Sequence, residues 1–182
     1  MTALVLALTG TDHHPFERMV RWIDDAALTH PDVRFVVQHG STRPPSVARG
    51  HAFLSHDELV DLMVEASVVV CHGGPGTIMD AREAGHVPLC VPRDPRLGEH
   101  VDSHQQRFAA AVAGVGVVRT VSSLESFQLA LDEALVVPTS STRSAAAFPS
   151  LVREAARAKV AAELDSIALV RPRRMGLHRS AQ

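Results

Sequence analysis

Residues 67–80 read SVVVCHGGPGTIMD, and this stretch restricts the chain to few folds. Val68, Val69 and Val70 are apolar and β-branched without alternation, the pattern of a strand covered on both faces in a parallel sheet. Gly73, Gly74, Pro75 and Gly76 form a tight turn, after which residues 77–84 can wind as a helix. Such a strand, turn and helix can bring bare backbone N–H groups and the positive end of a helix against an anion, and the missing side chains let a phosphate approach closely. His72 and Thr77 place an imidazole and a hydroxyl on either side of the turn, each able to donate to phosphate oxygens. The spacing departs from the dinucleotide fingerprint, because Met79 stands where its third glycine should be, and no Lys-Ser/Thr pair completes a P-loop. A turn whose glycines serve only backbone geometry is the alternative.

The rest of the chain alternates strand and helix around this unit. Residues 3–8 read as a buried strand, and Pro15 is suited to open a helix whose apolar face is Phe16, Met19, Val20, Ile23, Ala26 and Ala27. A strand at 33–37 precedes an irregular, proline-bearing loop that runs to Arg49, and a short strand is expected at 51–54. Ser55 and Glu58 have capping-box spacing at the head of a helix reaching Ala66. Strands at 87–91 and 115–119, and helices at 101–113 and from Ser122 or Ser123 to 135, complete the pattern. Alternation of this kind predicts an α/β fold, a Rossmann-like, mostly parallel sheet with helices on both faces. Ligands of such sheets bind outside the carboxyl ends of the strands, here the loops 9–14, 38–40, 72–76 and 93–100.

Two units are expected: a domain over residues 1–137, and residues 138–182 as linker, amphipathic helix and basic tail. Ser, Thr and Ala dominate after Pro138, and Leu151, Val152, Ala155 and Val160 could line one face of a helix over 149–164. The net charge of −2 gives no reason to expect a nucleic-acid partner. The apolar N-terminus lacks a basic flank and is cut short at Thr9, so it reads as a strand and not as a secretory signal. Cys71 and Cys90 end apolar runs and read as small buried hydrophobes, which fits a cytoplasmic location.

Beyond the turn, Asp80 lies on the first turns of the following helix, where a carboxylate could reach a ribose hydroxyl pair or simply favour the helix dipole. Residues 99–106, EHVDSHQQ, gather hydrogen-bonding side chains suited to a sugar. Together, Thr9-Gly10-Thr11, His72-Gly-Gly-Pro-Gly-Thr77 with Asp80 and Ala84-Gly85, and Val91-Pro92 followed by Asp102-Ser-His104-Gln105 resemble the C-terminal, donor-binding half of GT-B glycosyltransferases of family 28. The likeness covers roughly residues 1–135 and is strongest to MurG-type transferases and to small donor-binding subunits of two-component transferases. Among the latter are the dolichol-pathway N-acetylglucosaminyltransferase and bacterial exopolysaccharide transferases.

The resemblance implies a nucleoside diphosphate sugar, most often a UDP-sugar, as substrate. Gly73, Gly74, Gly76 and Thr77 would face the diphosphate with Thr11 opposite, within a site that also includes Thr9, Gly10 and His72. Asp80 stands where the family has an acid for ribose, Gln105 where it has a glutamine for sugar hydroxyls, and His104 beside it. The resemblance also implies a hexosyl transfer to a lipid-linked saccharide in polysaccharide or glycolipid synthesis. Only the donor half is recognisable, so a membrane-anchored acceptor-binding subunit would complete the enzyme at the inner face of the cytoplasmic membrane.

His14 is a candidate general base for the acceptor hydroxyl, although the base could equally come from the partner. Eleven histidines raise the question of metal. Only His13-His14 and His100/His104 are closely spaced, and there is no Asp-x-Asp, so neither a metal nor a cofactor is expected. A non-catalytic nucleotide-binding regulatory α/β domain is the alternative function, and an NAD-linked enzyme a third, against which the absent third glycine argues.

Overall fold

A computed structural model describes residues 2–136. Six parallel strands form one sheet: β1 (Leu4–Leu8), β2 (Arg34–Gln38), β3 (Arg49–His51), β4 (Val68–Cys71), β5 (Leu89–Cys90) and β6 (Arg119–Thr120). Their order is β3-β2-β1-β4-β5-β6, so the chain reverses its direction of growth between β1 and β4. A parallel doubly wound sheet opens a crevice at such a reversal, at the carboxyl ends of the two strands. The loop after β1 and the glycine turn after β4 are therefore neighbours. The expected α/β, Rossmann-like fold is the observed one.

Among the described residues, five α-helices cover the sheet: α1 (Glu17–Thr29), α2 (His56–Glu65), α3 (Pro75–Glu83), α4 (His104–Ala113) and α5 (Leu124–Val136). β1 is buried on both sides, which explains its unbroken apolar run. Val5 and Ala7 pack with Phe16, Met19, Ile23, Phe127 and Leu131 of the α1/α5 layer. Leu4, Leu6 and Leu8 pack with Met63, Ala66 and Ala81 of the α2/α3 layer. Each fully buried side chain of this size contributes about 1.5–3 kcal/mol. Trp22 stacks on Phe127 with centroids 5.8 Å apart, which registers α1 against α5. Cys71 and Cys90 lie in a third cluster with Ile78, Phe108 and Val112, and both are free and buried, as their apolar setting predicted.

Several boundaries differ from the sequence expectation for identifiable reasons. α1 opens at Glu17, not Pro15, because Phe16 is drawn wholly into the core and its N–H is taken by Thr42 Oγ1 at 2.8 Å. β3 pairs as Arg49–His51 rather than 51–54, since Leu54 N–H turns to the side-chain oxygen of Gln38 at 3.0 Å. The irregular loop before it is held by Asp24, whose carboxylate accepts the N–H groups of Ser46, Val47 and Ala48. α2 carries the capping box of Ser55 and Glu58.

Near the site, α3 begins at Pro75, so Pro75 and Gly76 of the expected turn belong to the helix, two residues ahead of the expected start at Thr77. α4 begins at His104, not Val101, which is left exposed. β6 forms at Arg119–Thr120, while Val117 and Val118 of the expected 115–119 strand pack under α4. The expected boundary at 137, the linker, the helix at 149–164 and the basic tail lie outside the described residues. No helix among the described residues is long and apolar enough to cross a membrane.

Candidate functional site

The glycine turn is built around His72. Gly10, with φ +84°, lies so close that a Cβ there would come within 2.6 Å of His72 Nε2, and a Cβ on Gly74 would meet the same atom. The two loops thus clasp one imidazole where their own side chains are missing. His72 is buried, and its Nδ1 lies 3.3 Å from the Leu8 carbonyl. A carbonyl only accepts, so the ring carries its proton on Nδ1, and Nε2 is a bare acceptor. Burial, then the charge of Arg93, pushes the His72 pKa down to about 4 against the opposing Leu8 bond. A neutral ring with its one donor engaged cannot donate to phosphate, contrary to the expectation from sequence. His72 is a spacer between the loops.

The other glycines divide by what the fold asks of them. Gly73 has φ +93° and sits against Cys90 Sγ, so backbone conformation and space both require it. Gly76 is exposed on the first turn of α3, and nothing lies within 4 Å of where its Cβ would be. Pro75 brings no N–H to this turn, while the N–H groups of Gly76 and Thr77 precede the first possible intrahelical acceptor. They lie at the positive end of a nine-residue helix. Gly76, Thr77 and Asp80 are spaced i, i+1 and i+4, which puts Asp80 on the same flank as the other two.

Opposite, Thr9 is wholly buried and its hydroxyl donates to the Gln38 carbonyl at 3.0 Å, so it supports the loop and is unavailable to a ligand. Thr11 is exposed on the same loop. That loop is tied down by Arg93, which in the sequence is one charge within a polar loop. Its Nη1 donates to the carbonyls of His14 (2.7 Å) and Glu99 (2.8 Å), and its Nη2 to that of Thr9 (2.7 Å). The guanidinium stacks 4.8 Å from the Phe16 centroid. Glu99 in turn accepts two bonds from Arg18, at 2.9 and 2.7 Å, fastening the loop before α4 to α1.

The loops after β1 and before α4 also meet through imidazoles and carboxylates. Asp12 Oδ1 accepts both the backbone N–H (2.8 Å) and Nδ1 (2.6 Å) of His14. Asp12 Oδ2 faces His100 Nε2 at 3.5 Å. Burial works against the Asp12 charge, but the bonds from His14 and the positive charge of Arg93 outweigh it and bring its pKa to about 2. On the far side of His100, Asp102 accepts the N–H and Nδ1 of His104 at 2.9 and 2.7 Å. Loss of hydration raises the Asp102 pKa, but the bonds and charge of His104 together outweigh it and hold the carboxyl below its usual range. Asp12 and Asp102 were not singled out from sequence as ring partners, although Asp-x-His recurs at 12–14 and 102–104.

Gln105, the second residue of α4, has a buried Oε1 with no hydrogen-bond partner. The structure thus brings together loop 9–14, the turn at 72–77 and the head of α4. A separate cavity of about 330 Å³ is lined by Arg18, Asp94, Gln106 and Thr120 among others, and it includes none of the glycine-turn residues. Asp12, His13 and His14 offer ligand atoms within 4.8 Å of one another, the one such metal-capable group among the described residues. His13 is highly exposed, and Asp12 and His14 are already bonded to each other.

Fold order, glycine turn and helix N-terminus define a Rossmann-like domain whose switch point presents the start of α3. Residues 12–163 match the glycosyltransferase family 28 C-terminal domain, and the chain belongs to that family. Comparison with curated protein sequences finds no match. Among solved structures, the spinosyn forosaminyltransferase SpnP is similar at 18% identity and TM-score 0.59, over 93% of this chain and 44% of that one. The kitacinnamycin glycotransferase gives 21%, 0.55, 94% and 44% for the same measures. Glycosyltransferase VinC in complex with dTDP gives 16%, 0.51, 92% and 40%. The chain spans less than half the length of these structures.

Proposed function

We propose that this chain is the donor-binding subunit of a two-component glycosyltransferase, transferring a hexosyl group from a UDP-sugar to a lipid-linked saccharide. In this reading the acceptor-binding half is a separate, membrane-anchored protein that recruits the chain to the cytoplasmic face of the membrane. Binding of dTDP by VinC makes dTDP-sugars the first alternative donors to try. The observation that carries the donor site is Gly76. The fold does not need a glycine there, since a Cβ would enter open space and alanine is the better helix former. A diphosphate approaching the backbone N–H groups of Gly76 and Thr77 gives that bare position a purpose.

Chemistry follows from the same geometry. The leaving diphosphate gains charge as the sugar departs, and the helix N-terminus with its amides stabilises it without a metal. Asp80 reaches the ribose, and the orphan oxygen of Gln105 accepts from a sugar hydroxyl, with His104 alongside. His14 takes the proton of the acceptor hydroxyl.

Calorimetric titration with UDP, UDP-sugars, dTDP and NAD tests this reading on wild type and Gly76→Ala, with and without EDTA. Wild type should bind a uridine or thymidine diphosphate, unaffected by EDTA. The alanine variant should unfold at equal or higher temperature yet bind roughly tenfold more weakly, about 1.4 kcal/mol. Equal affinity in the two proteins would remove the diphosphate from α3, and tight NAD binding would defeat the transferase reading.

A further inference from the structure

Asp12-His13-His14 and Asp102-Ser103-His104 each pair a carboxylate with the histidine two residues on, through one oxygen in the first and both oxygens in the second. In each, a carboxylate accepts both the backbone N–H and the ring Nδ1 of the histidine two residues on. An ionised carboxylate only accepts, so both rings carry their proton on Nδ1 and leave Nε2 bare. His100 stands between the two units. Its Nδ1 accepts the Asp102 backbone N–H at 3.3 Å and lies 3.6 Å from Asp102 Oδ1, and its Nε2 faces Asp12 Oδ2 at 3.5 Å. Asp12 Oδ1 thus serves His14 and also lies 3.6 Å from Nδ1 of the exposed His13, while Oδ2 is turned to His100 on the loop before α4. His14 is about one quarter exposed, so a proton can reach it.

We propose that Asp12 is the positioning residue of the acceptor-side base, fixing His14 as the Nδ1–H tautomer so that Nε2 is free to accept a proton. This rests on the reading of His14 as the base. As the acceptor oxygen bonds to the anomeric carbon, its O–H bond breaks and the proton passes to His14 Nε2. The bond from that carbon to the phosphate oxygen breaks, and its electron pair leaves with the diphosphate. The imidazolium that results lies 2.6 Å from the Asp12 carboxylate, which stabilises it. An imidazole without that carboxylate divides between two tautomers, one of which has no lone pair to offer on Nε2.

Long-range ¹H–¹⁵N NMR of the full chain separates protonated from bare ring nitrogens and reads this directly. Wild-type neutral His14 should show a protonated Nδ1 and a bare Nε2, and Asp12→Asn and Asp12→Ala should both lose that signature. The alanine variant excludes a rotated amide as the cause. A wild-type His14 protonated on Nε2 overturns the proposal whatever the variants do, and so do folded variants that keep the wild-type signature. The base reading fails separately, if His14→Ala leaves turnover unchanged in the presence of the acceptor partner while the tautomer is as proposed.

Discussion

Arg93 is the residue on which the geometry of the site most depends, and its removal can be estimated from its bonds. It is 1% exposed and gives three hydrogen bonds of 2.7–2.8 Å to the carbonyls of Thr9, His14 and Glu99. Substitution by Met removes the buried charge together with its donors, so the dehydration cost of the guanidinium vanishes while three carbonyls lose their partner. At ~1–3 kcal/mol for each unsatisfied group, less what the thioether regains by packing on Phe16, Arg93→Met should lose about 3 kcal/mol. That is a large share of the roughly 5–15 kcal/mol by which a folded domain is typically stable. Arg93→Lys should fall between, because an ammonium cannot reproduce the planar fork. Urea unfolding should give a lower midpoint at unchanged slope for both variants. A loss below about 1 kcal/mol for Arg93→Met would mean that water satisfies the carbonyls and that the clamp is not what holds loop 9–14.

Two further predictions concern single residues. His72 has a pKa of about 4 in the fold against an ordinary 6.5, so the unfolded chain binds the extra proton first. The stabilisation is complete above pH 6.5 and declines as pH falls toward 4, by about 2 kcal/mol between pH 7 and pH 5. Asp12 does not contribute in that window, because its carboxyl releases stability only below about pH 4. Denaturant titrations at the two pH values, with His72→Gln as the flat reference, would refute this if the wild-type values coincide. Gln105→Leu removes an unpaired buried oxygen, so stability should hold within about 1 kcal/mol while the preference for UDP-sugar over UDP disappears. Calorimetry that finds the preference intact would take Gln105 out of the sugar site.

The alternation of strands and helices was legible because it depends on local periodicity, and the glycine turn because a stretch such as HGGPG has few uses after a buried strand. What escaped was set by partners far along the chain. The role of His72 depends on Leu8 and Gly10, more than sixty residues away, the first accepting the bond from its Nδ1 and the second enclosing its ring. Arg93 looked like one more charge in a polar loop, since its partners are backbone carbonyls that no side-chain pattern advertises. The Asp-x-His repeats, by contrast, were present in the sequence and needed only the comparison of residues 12–14 with 102–104. Helix and strand ends moved wherever a tertiary bond overrode the local signal, as when Thr42 took the N–H of Phe16.

These bonds bear on what the chain can do without a partner. Ordering a residue's backbone costs about 1–2 kcal/mol, so a slack loop at 9–14 would weaken ligand binding by several kcal/mol. Here the loop is held at Thr9 and His14 by Arg93, at His14 by Asp12 and across the crevice by His72 against Gly10. Its ordering is met during folding and not during binding. On the proposed reading, a donor site prepared in this way should bind nucleotide in the isolated chain, with the proposed partner required for the acceptor and for turnover. If UDP bound measurably only after the second protein was added, the cleft-side bonds described for loop 9–14 would not be the ones that prepare the site.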